Sequence, residues 1–168
     1  INVANHGWTE TTHVITNVVS PLIPQLRMLQ DKGYTFVYIA HHKDEKVVYD
    51  YLEERNINIH FTRPNRETVT HVYSEICFHI AMMLHSTIFA LTHNTPLMNI
   101  IYDEKNRAFL ELFGITDCGL TIDDISQTDF PSRIDAIRAN WSNQESSIFE
   151  KRLELIKQQK LFISNLKT

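Results

Sequence analysis

The chain has 168 residues and a mass of 19.7 kDa, the size of one globular domain that buries about two thirds of the surface its unfolded form exposes. A composition 43% hydrophobic and 21% charged, with 4 Gly and 5 Pro, excludes a disordered or fibrous chain. A formal charge of -4 and a pI of about 6.1 exclude the broad basic surface that binding to a nucleic-acid backbone requires.

In chain order, residues 1–4 form a short apolar run that opens into Asn5, His6 and Gly7, the pattern of a first strand ending in a loop. A helix follows: Ser20 is placed to cap it with Pro21 in its first turn, Leu22, Ile23, Leu26 and Leu29 recur at helical spacing, and Gly33 ends it. Residues 34–40 (YTFVYIA) are continuously apolar, aromatic and β-branched, as in a strand buried on both faces. Asp44 is placed to cap a second helix with a buried stripe of Val47, Val48, Tyr51 and Leu52. Residues 56–61 alternate as a third strand.

A third helix is predicted from 67 to about 74, a fourth strand within 76–82, a helix over 84–91 and a turn at Asn94, Thr95 and Pro96. Residues 97–102 (LMNIIY) read as the fifth strand, 103–113 as a helix ending at Gly114, and 118–122 as a last short strand. Strands separated by helices argue for a Rossmann-like α/β domain, a parallel sheet with helices on both faces. The domain is expected over 1–142. An amphipathic helix over 143–168, carrying Ile148, Phe149, Leu153, Ile156, Leu161 and Phe162, is expected to pack back on it.

The sequence contains neither GxGxxG nor GxxxxGK[ST], so ordinary dinucleotide and P-loop nucleotide binding are disfavoured. Cys77 and Cys118 form no CxxC pair and no disulfide framework, which suits a reducing compartment. The longest apolar run, 78–91, is interrupted by His79 and His85, and is shorter than the about 18 residues a membrane-spanning helix needs. The chain starts at Ile1 and enters a strand almost at once, which reads as a piece of something longer.

In a doubly wound sheet, ligands bind beyond the carboxyl ends of the strands. Four clusters fall there: Asn5 and His6; His41, His42, Lys43 and Asp44; His85, Ser86 and Thr87; and Tyr102, Asp103, Glu104 and Lys105. His85 opens a helix, where free N–H groups and the helix dipole favour an anionic ligand and an imidazole can serve as acid or base. Ser86 and Thr87 add hydroxyls at the same terminus or simply cap it, and His42 is a further substrate-binding candidate. The 9 histidines invite a metal site, but there is no HExxH and the adjacent His41 and His42 would point apart, so no metal is expected. No GxSxG elbow supports a serine hydrolase.

The run MMLHSTIFALTHNTPLMNIIYDEKNRAFLELFG, within residues 74–114, resembles the polysaccharide pyruvyl transferase family. The comparable family segment carries Arg-Leu-His, a small residue, an apolar helix, a Gly/Asn-Thr-Pro turn, an apolar strand, Tyr-Asp-x-Lys, and Phe before Gly. The strand ending in HHKDEKVV and the C-terminal helix extend the similarity over most of this chain, matching the C-terminal half of the usual protein.

The resemblance implies one half of a GT-B-like pair of Rossmann-like domains, the N-terminal half being absent. It implies transfer of a pyruvyl group from phosphoenolpyruvate, as donor substrate and without a cofactor, to a sugar of a surface polysaccharide or glycan. His85 aligns with the family His as acid/base or phosphate contact. Lys105 aligns with the Lys of Tyr-Asp-x-Lys as a substrate contact, its other use being a solvated helix face. Met83 stands where the family carries Arg. Alternative readings are a nucleotide-sugar-dependent glycosyltransferase domain and a degenerate, non-catalytic glycan-related domain. A cytoplasmic site near the membrane, inactivity of this half alone, and self-association through the face left by the missing half complete the expectations.

Overall fold

The computed structural model of the chain describes residues 1–3 and 11–165. Among them are five strands, β1 (Phe36–Ile39), β2 (Ile59–Thr62), β3 (His79–Ala81), β4 (Leu97–Ile101) and β5 (Gly119–Thr121). All pair in parallel. Phe36 lies opposite Ile59 in the β1–β2 ladder, and β4 sits between β3 and β5, with His79 opposite Leu97 and Asn99 opposite Gly119.

The N-terminal segment joins the two ladders. Ile39 N–H donates to the Ile1 carbonyl at 2.8 Å, Asn2 N–H to the Ile80 carbonyl at 2.9 Å, and Met82 N–H to the Asn2 carbonyl at 2.9 Å. Counting this segment first, the spatial order is third, second, first, fourth, fifth, sixth, the doubly wound order whose switch point lies between first and fourth. The fold is therefore Rossmann-like, with helices flanking parallel strands.

The helices are α1 (Thr11–Val14), α2 (Ser20–Asp31), α3 (Lys46–Glu53), α4 (Val69–Ser74), α5 (Leu84–Thr92), α6 (Glu104–Phe113) and α7 (Phe130–Asn165). Ser20 does not cap a helix start. A π-helical turn, Ile15–Val19, carries α1 directly into α2, and the Ser20 hydroxyl instead meets Tyr51 Oη at 2.9 Å. Pro21 lacks the N–H that an α-helical ladder would use, and a widened turn is a common way to accommodate such a break. Gly33 ends α2 as expected: at φ 89° its N–H reaches the Gln30 carbonyl while that of Tyr34 reaches Leu29. Asp44 is likewise not a helix cap; His42 precedes a 3-10 turn, Lys43–Glu45, that leads into α3. In α3, Val48 and Leu52 are buried while Val47 faces solvent.

The last helix departs most from expectation. It begins at Phe130 and runs 36 residues without a break through the 142/143 boundary, a length of about 54 Å at 1.5 Å per residue. A domain of this size is roughly 40 Å across, so the helix outruns it. Ile134, Ile137, Trp141 and Ile148 are buried in the core, Leu155 packs partly against it, and Phe149, Ile156, Leu161, Phe162 and Ile163 remain exposed. No helix of the described residues is long and apolar enough to cross a membrane.

Candidate functional site at the carboxyl ends of the strands

The switch point places the end of β1 and the end of β3 on either side of the N-terminal segment. Asn5 and His6 lie outside the described residues. After β3 the chain passes through Met82 and Met83, both buried, into α5. Met83 provides no side-chain cap, and the first intrahelical bond runs from Thr87 N–H to the Met83 carbonyl at 3.1 Å. The N–H groups of the opening turn are thus without intrahelical partners. His85, second residue of α5, is exposed there, an imidazole beside unpaired donors.

Ser86 and Thr87 face the other way and are buried. Ser86 Oγ lies between Tyr73 Oη, at 3.0 Å, and His79 Nε2, to which it is also hydrogen-bonded. Thr87 Oγ1 donates to the Met83 carbonyl at 3.2 Å and accepts from Asn99 Nδ2 at 2.7 Å. Both hydroxyls hold α5 to its neighbours. Lys105, on the first turn of α6, is exposed and lacks an ion pair among the described residues. His42 turns onto its own loop, with Nδ1 3.2 Å from Asp44 Oδ2.

The neighbouring histidine is the one directed inward. His41 Nε2 meets Tyr73 Oη at 2.8 Å, and its ring stacks on Phe89 at 5.7 Å with an interplanar angle of 4°. Burial, with the nearby His85 charge second, lowers its pKa to about 4, so the ring is neutral at pH 7. Glu45 fixes the loop that carries it. This fully buried carboxylate accepts from Asn2 Nδ2 at 2.8 Å, His41 N–H at 3.0 Å and His42 N–H at 3.2 Å. Burial raises its pKa to about 7 against the opposing pull of those three donors. His79 is fully buried on β3. Its imidazole is held neutral first by burial, then by the Ile1 amino charge and His41, and its Nδ1 has no partner.

A second polar group secures the other side. Asp103 caps α6 by accepting from Asn106 N–H at 2.9 Å, while Asn106 Nδ2 donates to the Met82 carbonyl at 2.9 Å and to Asn99 Oδ1 at 3.1 Å. Beyond β4 and β5 lies a cleft of about 810 Å³ lined by His13, Tyr102, Asp103, Arg107, Thr121 and Asp123, among others. Neither His41 nor His85 lines it. Among the described residues no group of three or more His, Cys, Asp or Glu side chains is arranged to hold a metal ion.

The arrangement brings His41 and His85 close together, with a strip of unpaired N–H groups at the start of α5, whereas His42 and Lys105 are exposed. Such a set can bind an anion and exchange a proton with it. Sequence reasoning placed His41 in a strand-end cluster but singled out His42 from it, and it missed Glu45, Tyr73 and His79 as parts of the site. The strand-end position of His41 was a signal, shared equally by His42; nothing local in the sequence marks the other three. Compared with protein-family models, curated proteins and solved structures, the chain finds no match in any of the three.

Proposed function

We propose that this chain is the donor-side half of a polysaccharide pyruvyl transferase-like enzyme, acting on phosphoenolpyruvate and a sugar of a surface polysaccharide or glycan. The supporting observation is the exposed His85 in the uncapped opening turn of α5, immediately after β3 at the switch point. In the reaction two sugar hydroxyls add to the enol carbon and the bond to the phosphate oxygen breaks. One hydroxyl proton reaches the methylene carbon, making a methyl group, and the other leaves with phosphate. His85 is the acid/base group or phosphate contact at that centre, and the α5 N–H groups hold the leaving anion.

Met83 is buried and supplies no guanidinium, so positive charge for the carboxylate and phosphate comes from elsewhere, with Lys105 the candidate. The acceptor sugar belongs to the absent N-terminal half, in a cytoplasmic enzyme working near the membrane where glycans are assembled. Glycosyl transfer from a nucleotide sugar is the second reading, favoured by the cleft of about 810 Å³ beside β4 and β5, a volume in the range of small-molecule sites.

Calorimetric titration of the full-length protein with phosphoenolpyruvate and with a panel of nucleotide sugars separates these readings. Phosphoenolpyruvate is expected to bind, and His85→Ala to weaken it by about tenfold or more, corresponding to about 1.4 kcal/mol. Binding of a nucleotide sugar instead assigns the domain to glycosyl transfer. Silence toward every donor leaves a non-catalytic glycan-related domain.

A further inference from the structure

We propose that His41 is a second ligand-binding histidine of this site, donating from Nδ1 to an anionic oxygen of phosphoenolpyruvate, and that Tyr73 is the positioning residue that holds it. The proposal rests on the pyruvyl-transfer reading for its ligand and on the structure for its geometry. His41 stacks on Phe89, which lies one helical turn beyond His85. Residues four apart share a helix face, so the two imidazoles flank the same face of α5 at its start.

The direction of the hydrogen-bond chain fixes which nitrogen carries the proton. His41 Nε2, Tyr73 Oη, Ser86 Oγ and His79 Nε2 are linked in series. Each hydroxyl has one proton for two partners, so it donates to one and accepts from the other. The series therefore runs head to tail from one histidine to the other. If it ran from His41, His79 would carry its proton on Nδ1, a buried N–H with no partner. If it runs from His79, that Nδ1 is an unsatisfied lone pair instead. Orphaned buried N–H groups are the rarer case, so His79 donates to Ser86, Ser86 to Tyr73, and Tyr73 to His41 Nε2.

The proton of neutral His41 is then on Nδ1. Among the described residues that atom has no hydrogen-bond partner, and the ring is only half-buried. The site thereby gains an oriented donor without burying a charge. The sequence-predicted contact, His42, is spent on its own turn.

The test uses full-length protein labelled with 15N at histidine, read by long-range 1H–15N correlation at pH 7, with thermal melts confirming the fold of each variant. Free His41 is expected as a single neutral tautomer protonated at Nδ1, and Tyr73→Phe is expected to convert it to a tautomer mixture. Phosphoenolpyruvate should move the signals of both His41 and His85. His41→Leu should weaken binding by about tenfold, and His41→Asn, whose amide N–H can replace Nδ1–H, should recover part of it. Should His41→Leu not fold, the wild-type spectra and His41→Asn decide the matter alone. A proton on Nε2, or ligand-induced movement of His85 alone, overturns the role of His41 and leaves pyruvyl transfer standing. Absence of phosphoenolpyruvate binding removes both.

Discussion

The switch-point end of the sheet and the far half of α7 treat polarity in opposite ways. At the strand ends, Glu45, His79, Ser86, Thr87, Asn99 and Asn106 are buried, although burying such groups costs free energy unless each is hydrogen-bonded. Along α7, Phe149, Ile156, Leu161, Phe162 and Ile163 stand in water, although their burial would be favourable. The contrast teaches where this domain is committed to one arrangement. Buried polar groups demand particular partners in particular geometry, whereas exposed apolar groups on a helix make no such demand.

That contrast can be broken from its strong side first. Asn106→Ala leaves the Met82 carbonyl and Asn99 Oδ1 without their donor, two buried acceptors at about 1–3 kcal/mol each, so denaturant unfolding should show a loss of about 2–6 kcal/mol. A loss below about 1 kcal/mol would mean that water or a rearranged side chain replaces the amide, and that the strand ends are less fixed than their bonding indicates.

A pH series sharpens the comparison. The Glu45 pKa is raised from 4.5 to about 7 in the folded protein, so the folded state binds this proton more tightly than the unfolded one. Its contribution is fully present below pH 4.5 and is lost as pH rises toward 7. Wild type should therefore lose about 3 kcal/mol of stability relative to Glu45→Gln across that window. The lowered pKa of His41 acts in the opposite sense, its contribution being lost as pH falls from 6.5 toward 4, and is common to both proteins in this difference. Parallel stability curves for the two would show Glu45 to be ionised and well solvated in the fold.

The smallest effect is expected in α7. Phe162 is 65% exposed, so Phe162→Ala should change the melting free energy by no more than about 0.5 kcal/mol. A larger loss at micromolar concentration that vanishes on dilution would reveal that a second molecule covers this face.

Much of the architecture was legible locally. The runs YTFVYIA and LMNIIY became β1 and β4, and Gly33 and Gly114 end their helices at positive φ, because strand alternation and left-handed caps are properties of a few consecutive residues. Helix starts were harder to read. Ser20 and Pro21 form a standard start signal, yet a π-helical turn carries the helix through them. Of the site, the position of His85 was legible from the strand-to-helix change before it. The engagement of Ser86 and Thr87 was not, since a hydroxyl in a first turn looks the same whether it faces ligand or core.

By itself the sequence determined the alternation of strands and helices, hence the parallel sheet. Tertiary structure decided which of two adjacent histidines turns inward, and that choice rests on Tyr73, Ser86 and His79 meeting across α4, α5 and β3. The physical reason is range. Backbone pattern is set by neighbours in sequence, but a polar side chain is stable in the interior only when partners from other elements satisfy it, and those partners exist only once the chain has folded.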